Sequence, residues 1–128
     1  MIIIEPTPLS IRSSRDGPLH RLVPHGELDI ATAADLERAF DAVFADDSVE
    51  MIVVDLTELG FMDSTGTKLL LQMYVSCEHG DRLRIVNGSR TVARVLDLTG
   101  VRDRLPIIEV NDDPLAPLPP ARRGSERR

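Results

Sequence analysis

The stretch "MIVVDLTELGFMDSTGTKLLL", residues 51–71, decides how the rest of the chain is read. Its opening, "MIVVDL", is short, β-branched and almost without alternation, which predicts a strand buried on both faces. Its close begins a helix expected over about Thr65–Glu78. There Leu70, Met73, Tyr74 and Cys77 share one face, and Leu69 and Leu71 widen the apolar stripe. Between strand and helix stand Asp63, Ser64, Thr65 and Gly66, all small or polar. Asp and Ser are common helix caps and Gly eases a turn, so one reading gives this junction no role beyond connection. The other reading has Ser64 presented to a second molecule.

The alternation of strand and helix continues on both sides. Upstream, "TAADLERAFDAVFADD" places Leu36, Phe40, Val43 and Phe44 on one helical face, and Thr32 with Asp35 three residues on approximates a capping box. Before it, "IIIEPTPLSIRSS" and "LHRLVPHGELDI" read as two strands joined by a hairpin at Arg15-Asp16-Gly17, since Asp-Gly tolerates positive φ. Pro6 and Pro8 place the first strand at an edge or confine its pairing. Pro24, lacking an amide donor, predicts that the second strand ends there or lies at an edge. Downstream, His79-Gly80 stops the second helix, "RLRIVN" is a strand, and Ser89 caps "RTVARVLDLTG". Val92, Val95, Leu96 and Thr99 form the apolar face of that third helix, which ends at Gly100, and "LPIIEV" is the last strand. Strands alternating with helices of roughly ten to fifteen residues predict right-handed crossovers. The expected fold is therefore α/β, with a mostly parallel sheet of four to five strands and packed helices. In open sheets of this kind functional groups gather where strands end and helices begin, and Ser64 lies at such a place.

With 128 residues the chain can bury one core, and aromatic residues contribute little to it: three Phe, one Tyr and no Trp. One domain is expected over residues 1–110. Residues 111–128 turn Pro- and Arg-rich with too few apolar groups to pack, the composition of a disordered tail. No apolar run is long enough to span a bilayer, and Met1–Glu5 is too short for a signal peptide, so a cytoplasmic protein is expected. Cys77, the single cysteine, allows no internal disulfide and no zinc site by itself. The net charge is −6; the tail holds four Arg against three acids, which leaves −7 on residues 1–110. That balance argues against direct nucleic-acid binding and suits a basic protein partner.

Several chemistries compete for these residues. A hydrolase needs a base at Ser64, but "MDSTG" is not a Gly-x-Ser-x-Gly elbow, and His20, His25 and His79 lie in no context that marks a triad. Asp55 at a strand end resembles a receiver aspartate, yet the acidic pair and later lysine of a receiver are misplaced. His25, Glu27 and Asp29 alternate along "HGELD" and all can ligate metal, although a solvated strand face gives the same pattern. No P-loop is present, and no cofactor or metal is expected.

Three segments together, "GELDIATAADLERAF", "MIVVDLTELGFMDSTGTKLLL" and "RLRIVNGSRTVARVLDLTGV", resemble a STAS domain of the bacterial anti-sigma factor antagonist type. The likeness runs from about Leu9 to Val110. It rests on Gly26-Glu27-Leu28-Asp29 before the first helix and Asp63-Ser64-Thr65-Gly66 before the second. The resemblance implies a binding switch and not an enzyme. Such proteins bind an anti-sigma factor that is also a serine kinase, so freeing a sigma factor; phosphorylation of the motif serine ends the binding, and a phosphatase resets it. Carried over, Ser64 is the phosphoacceptor, with Thr65 the less favoured choice. Glu27, Asp29, Asp63, Ser64, Thr65 and Gly66 form the partner surface. The alternative is a non-catalytic STAS scaffold subunit of a larger signalling assembly, with Ser64 only a helix cap. The chain departs from its relatives in three ways. Thr67-Lys68 stands where many carry Leu-Gly, Pro24 interrupts a strand, and "DDPLAPLPP" replaces a closing helix, so another element, such as a second copy in a homodimer, would cover the sheet.

Overall fold

In the computed structural model, which describes residues 9–78 and 81–118, three helices and six strands alternate along the chain. They are β1 (Ser10–Asp16), β2 (Leu19–Leu28), α1 (Ala33–Phe44), β3 (Met51–Asp55), β4 (Leu59–Met62), α2 (Ser64–Ser76), β5 (Leu83–Val86), α3 (Arg90–Leu98) and β6 (Ile107–Ile108). The sheet order is β1-β2-β3-β5-β6, with β4 also on β2. Only β1 runs antiparallel. The expected mostly parallel α/β sheet is therefore present, with one strand more than the sequence predicts. The hairpin forms where Asp-Gly placed it: Asp16 faces Leu19, and Gly17 takes φ +61°.

The additional strand, β4, explains Pro24. β3 pairs with Leu19–Leu22 of β2, the chain then breaks step, and β4 resumes along the same edge at Gly26–Leu28. The break is a turn in which the Asp55 carboxylate accepts hydrogen bonds from the Thr57 amide (2.9 Å) and hydroxyl (2.6 Å). Pro24 lies opposite that break. The strand neither ends at Pro24 nor lies at an edge there, contrary to expectation, because two partners in series leave a place where a parallel ladder bond is not needed. Gly26 follows at φ +117° beside a register slip in which Gly60 is the extra residue on β4, so Gly26 lies within the paired strand and not in a turn.

All three helices bury their stripes in one cluster on one face of the sheet. Leu36, Phe40 and Val43 of α1, Leu69, Leu70 and Met73 of α2, and Val92 and Leu96 of α3 meet Leu22, Ile52, Val54 and Ile85 there. Each fully buried Leu or Ile contributes about 1.5–3 kcal/mol relative to exposure. Cys77 lies in this core, where burial pushes its thiol up to about 11. The opposite face carries Met51, Val53, Val86 and Ile108, which is why β3 shows no alternation: both faces are covered. Leu118 packs on that second cluster, and the buried Arg84 donates to the Ala116 carbonyl (3.4 Å), so residues 111–118 lie along this face. Residues 119–128, where the rest of the expected tail falls, lie outside the described residues, as do Met1–Pro8 and His79-Gly80.

The helix ends follow local chemistry with one exception. Ser89 caps α3 through the Val92 amide, and Gly100 closes it at φ +74°. Thr32, however, makes no capping bond to α1, and Asp35 pairs with Arg38 instead of reaching back. The expected capping box is absent because the Thr32 hydroxyl is engaged in the turn before the helix, described next.

Candidate functional site

Two strand-to-helix turns meet at one end of the sheet. In the first, between β2 and α1, the Asp29 carboxylate accepts from the amides of Ala31 (3.0 Å) and Thr32 (3.2 Å). The Thr32 hydroxyl donates to the Glu27 carbonyl (2.8 Å) and accepts from the Asp29 amide (3.0 Å). This knot fixes the turn and leaves the Glu27 side chain exposed, with Ile30 at its tip 83% accessible. The sequence pattern carries the strand to Ile30; β2 stops at Leu28 instead, and Ile30 projects from the turn.

The second turn joins β4 to α2. Asp63 is the N-cap, in extended conformation, its carboxylate accepting from the Thr65 amide at 2.8 Å. Ser64 is thus the first helical residue and is exposed, and its hydroxyl has no hydrogen-bond partner among the described residues. The capping role belongs to Asp63, so Ser64 is not a helix cap. Thr65 is half-buried and Gly66 buried. A Cβ on Gly66 would meet Met62 Cγ at 2.4 Å and Leu28 Cδ2 at 2.9 Å, so only glycine lets the first turn of α2 settle onto β2 and β4. Thr67 turns inward, its buried hydroxyl unpartnered among the described residues, while Lys68 faces solvent.

Strand pairing brings the two turns together. Glu27 stands beside Phe61 and Leu28 beside Met62, and the Asp63 amide donates to the Leu28 carbonyl (3.2 Å). Leu28 and Met62 point into the core; Glu27 and Phe61 point out. Glu27, Asp29 and Asp63–Gly66, all named from the sequence, therefore occupy one end of the sheet. Two exposed apolar side chains there had not been singled out: Ile30, and Phe61 at 41% accessibility. An isolated Phe after Gly60 was the available signal, but without β4 nothing showed which way it faced.

The other residues with chemical potential are employed elsewhere. No described histidine bonds Ser64: His20 contacts the Ser13 hydroxyl, and His25 lies exposed on β2. Asp55 pairs with Arg21 at 3.1 Å. Gly26 at φ +117° breaks the regular alternation between His25 and Glu27, β2 ends before Asp29, and the Asp29 carboxylate serves backbone amides. Among the described residues no group of three or more His, Cys, Asp or Glu could hold a metal ion, and no helix is long and apolar enough to cross a membrane. What the site offers is an unencumbered hydroxyl on a helix N-terminus, rimmed by carboxylates and two apolar side chains.

The chain is similar to several known proteins. The chain is 28% identical over 102 residues to the anti-sigma-B factor antagonist of Staphylococcus aureus, covering 79% of this chain and 94% of that one. The namesake from Staphylococcus epidermidis is 26% identical over the same length. A crystal structure of an anti-sigma factor antagonist from Mycobacterium paratuberculosis superposes with a TM-score of 0.68 at 28% identity, over 77% of this chain and 84% of that one. The anti-sigma factor antagonist SpoIIAA in its unphosphorylated form shares the fold at a TM-score of 0.66 and 21% identity, over 80% and 90% of the two chains. The pattern of the STAS domain family matches residues 18–113, three quarters of the chain, and this chain belongs to that family.

Proposed function

We propose that this STAS domain is an anti-sigma factor antagonist: it binds an anti-sigma factor that is also a serine kinase, and phosphorylation of Ser64 ends the binding. Relatives bearing the antagonist name support the role. The observation that carries the switch is the state of Ser64: exposed, at the first position of α2, its hydroxyl unbonded because Asp63 performs the capping. A phosphate there sits at the positive end of α2 on a side chain that faces solvent, so modification leaves the fold intact. It adds about −1.5 to −2 charges beside Glu27, Asp29 and Asp63. In a formed interface that repulsion, with the cost of stripping water from phosphate, lowers affinity steeply. Ile30 and Phe61 supply the apolar contact, and the acidic rim selects a basic partner. The protein itself performs no chemistry in this scheme; kinase and phosphatase act on it, and Thr65, half-buried, is the poorer acceptor.

The test is the intact mass of the protein purified from its native cell, before and after phosphatase treatment, alongside Ser64→Ala. A phosphatase-removable phosphate mapping to Ser64, absent in S64A while S64A still co-purifies with a protein kinase, is the expected result. S64A phosphorylated as well as the parent would sink the assignment.

A further inference from the structure

We propose that Lys68 is an internal counter-ion for a phosphate on Ser64, and so sets how much negative charge the modification adds to this surface. The inference rests on the phosphorylation reading above and deepens it. α2 is helical from Ser64 onward, so Lys68 lies one turn past Ser64 on the same side, with Cβ atoms about 5–6 Å apart. Side chains on a helix lean toward its N-terminus, which carries the lysine stem toward Ser64. Anion first and cation four residues later is also the favourable order for such a pair.

The ammonium is available for this role. Lys68 is the sole lysine in a chain whose other cationic side chains are all arginines. It is exposed and has no ion pair or hydrogen bond among the described residues. Arg12, Arg15, Arg21, Arg38 and Arg102 each hold a carboxylate. Lys68 also borders a shallow groove of about 420 Å³ along α2, lined further by Leu71, Gln72, Val75 and Ser76, none of which carries a charge that would claim its ammonium. The acidic side chains of the neighbouring turns do not claim it. Asp29 and Asp63 accept from backbone amides, and Glu27 forms no ion pair among the described residues. A dianionic phosphate at position 64 would be the strongest anion within its reach, and the pair would cancel roughly half of the added charge.

The experiment places phosphoserine at position 64 during translation, in the full chain with Lys68, Lys68→Gln or Lys68→Arg, and follows the second phosphate ionisation by phosphorus NMR. Lys68 is expected to lower that pKa by roughly 0.3 unit relative to K68Q, the equivalent of one such helical ion pair. K68R should restore most of the shift, and molar salt should shrink it. Identical phosphate titrations in the parent and K68Q would overturn the inference. No kinase is needed, so that outcome leaves the Ser64 assignment standing. Conversely, a Ser64 that is never phosphorylated in the cell would defeat the switch without touching the measured pairing.

Discussion

The two ends of the sheet use charge in opposite ways. At the end away from Ser64, arginines are bound into the fold. Arg82 donates to the carbonyls of Phe44 (2.9 Å), Asp46 (2.7 Å) and Val49 (2.9 Å), and its guanidinium lies 5.0 Å from the Phe44 ring centre. It thereby satisfies the Phe44 carbonyl at the end of α1 and joins two carbonyls of the loop that follows. Arg15 ties the hairpin to the same loop through Asp46 (3.2 Å) and Ser48 (3.0 Å). At the other end Glu27, Ser64 and Lys68 have no such partners among the described residues, and Ile30 and Phe61 face water. One end is closed on itself; the other is closed beneath and open above.

The contrast predicts where substitutions hurt. The largest effect is expected at the closed end: Arg82→Ala strips three carbonyls of a charged donor and should destabilise the fold by roughly 3 kcal/mol in urea titration. A loss below about 1 kcal/mol would show that water replaces the guanidinium, and that this end is less closed than it looks. Next comes the floor of the open end. Gly66→Ala forces a methyl into Met62 and Leu28 and should cost about 1–3 kcal/mol by the same assay. An unchanged midpoint would mean that this floor can give. Smallest is the rim: Glu27→Gln should move stability by less than about 0.5 kcal/mol while weakening binding to the proposed anti-sigma partner. A rim substitution that unfolds the domain would erase the distinction between the two ends.

Residue patterns alone were enough for the elements with strong local signals. The buried run of β3, the apolar stripes of α1, α2 and α3, the Asp-Gly hairpin and the Ser89 cap all appear where periodicity and turn chemistry put them. β4 was not legible. It has four residues, one of them Gly60, and only Leu59 and Met62 are buried, so it carries no period of its own and exists because β2 offers it an edge. Missing β4 also misplaced Pro24, since the rule about its absent donor was sound but the break opposite it could not be seen. The capping box failed for a similar reason. Thr32 and Asp35 have the right spacing, but the Thr32 hydroxyl finds a better partner in the Glu27 carbonyl, set by the course of β2.

For the candidate site the division is the same. That Asp63, Ser64, Thr65 and Gly66 start a helix follows from short-range preferences, because a cap and the first turn involve only a few neighbouring residues. Which of them caps, and hence that the Ser64 hydroxyl stays unbonded, depended on the extended backbone that β4 delivers at Asp63. That Glu27 stands beside Phe61, and that Asp63 hydrogen-bonds Leu28, depended on two strands meeting from distant parts of the chain. Local sequence determined the helices, the longer strands and the presence of the serine; β4 and its pairing with β2 decided the serine's surroundings, because packing between distant segments selects among arrangements that local preferences leave equal.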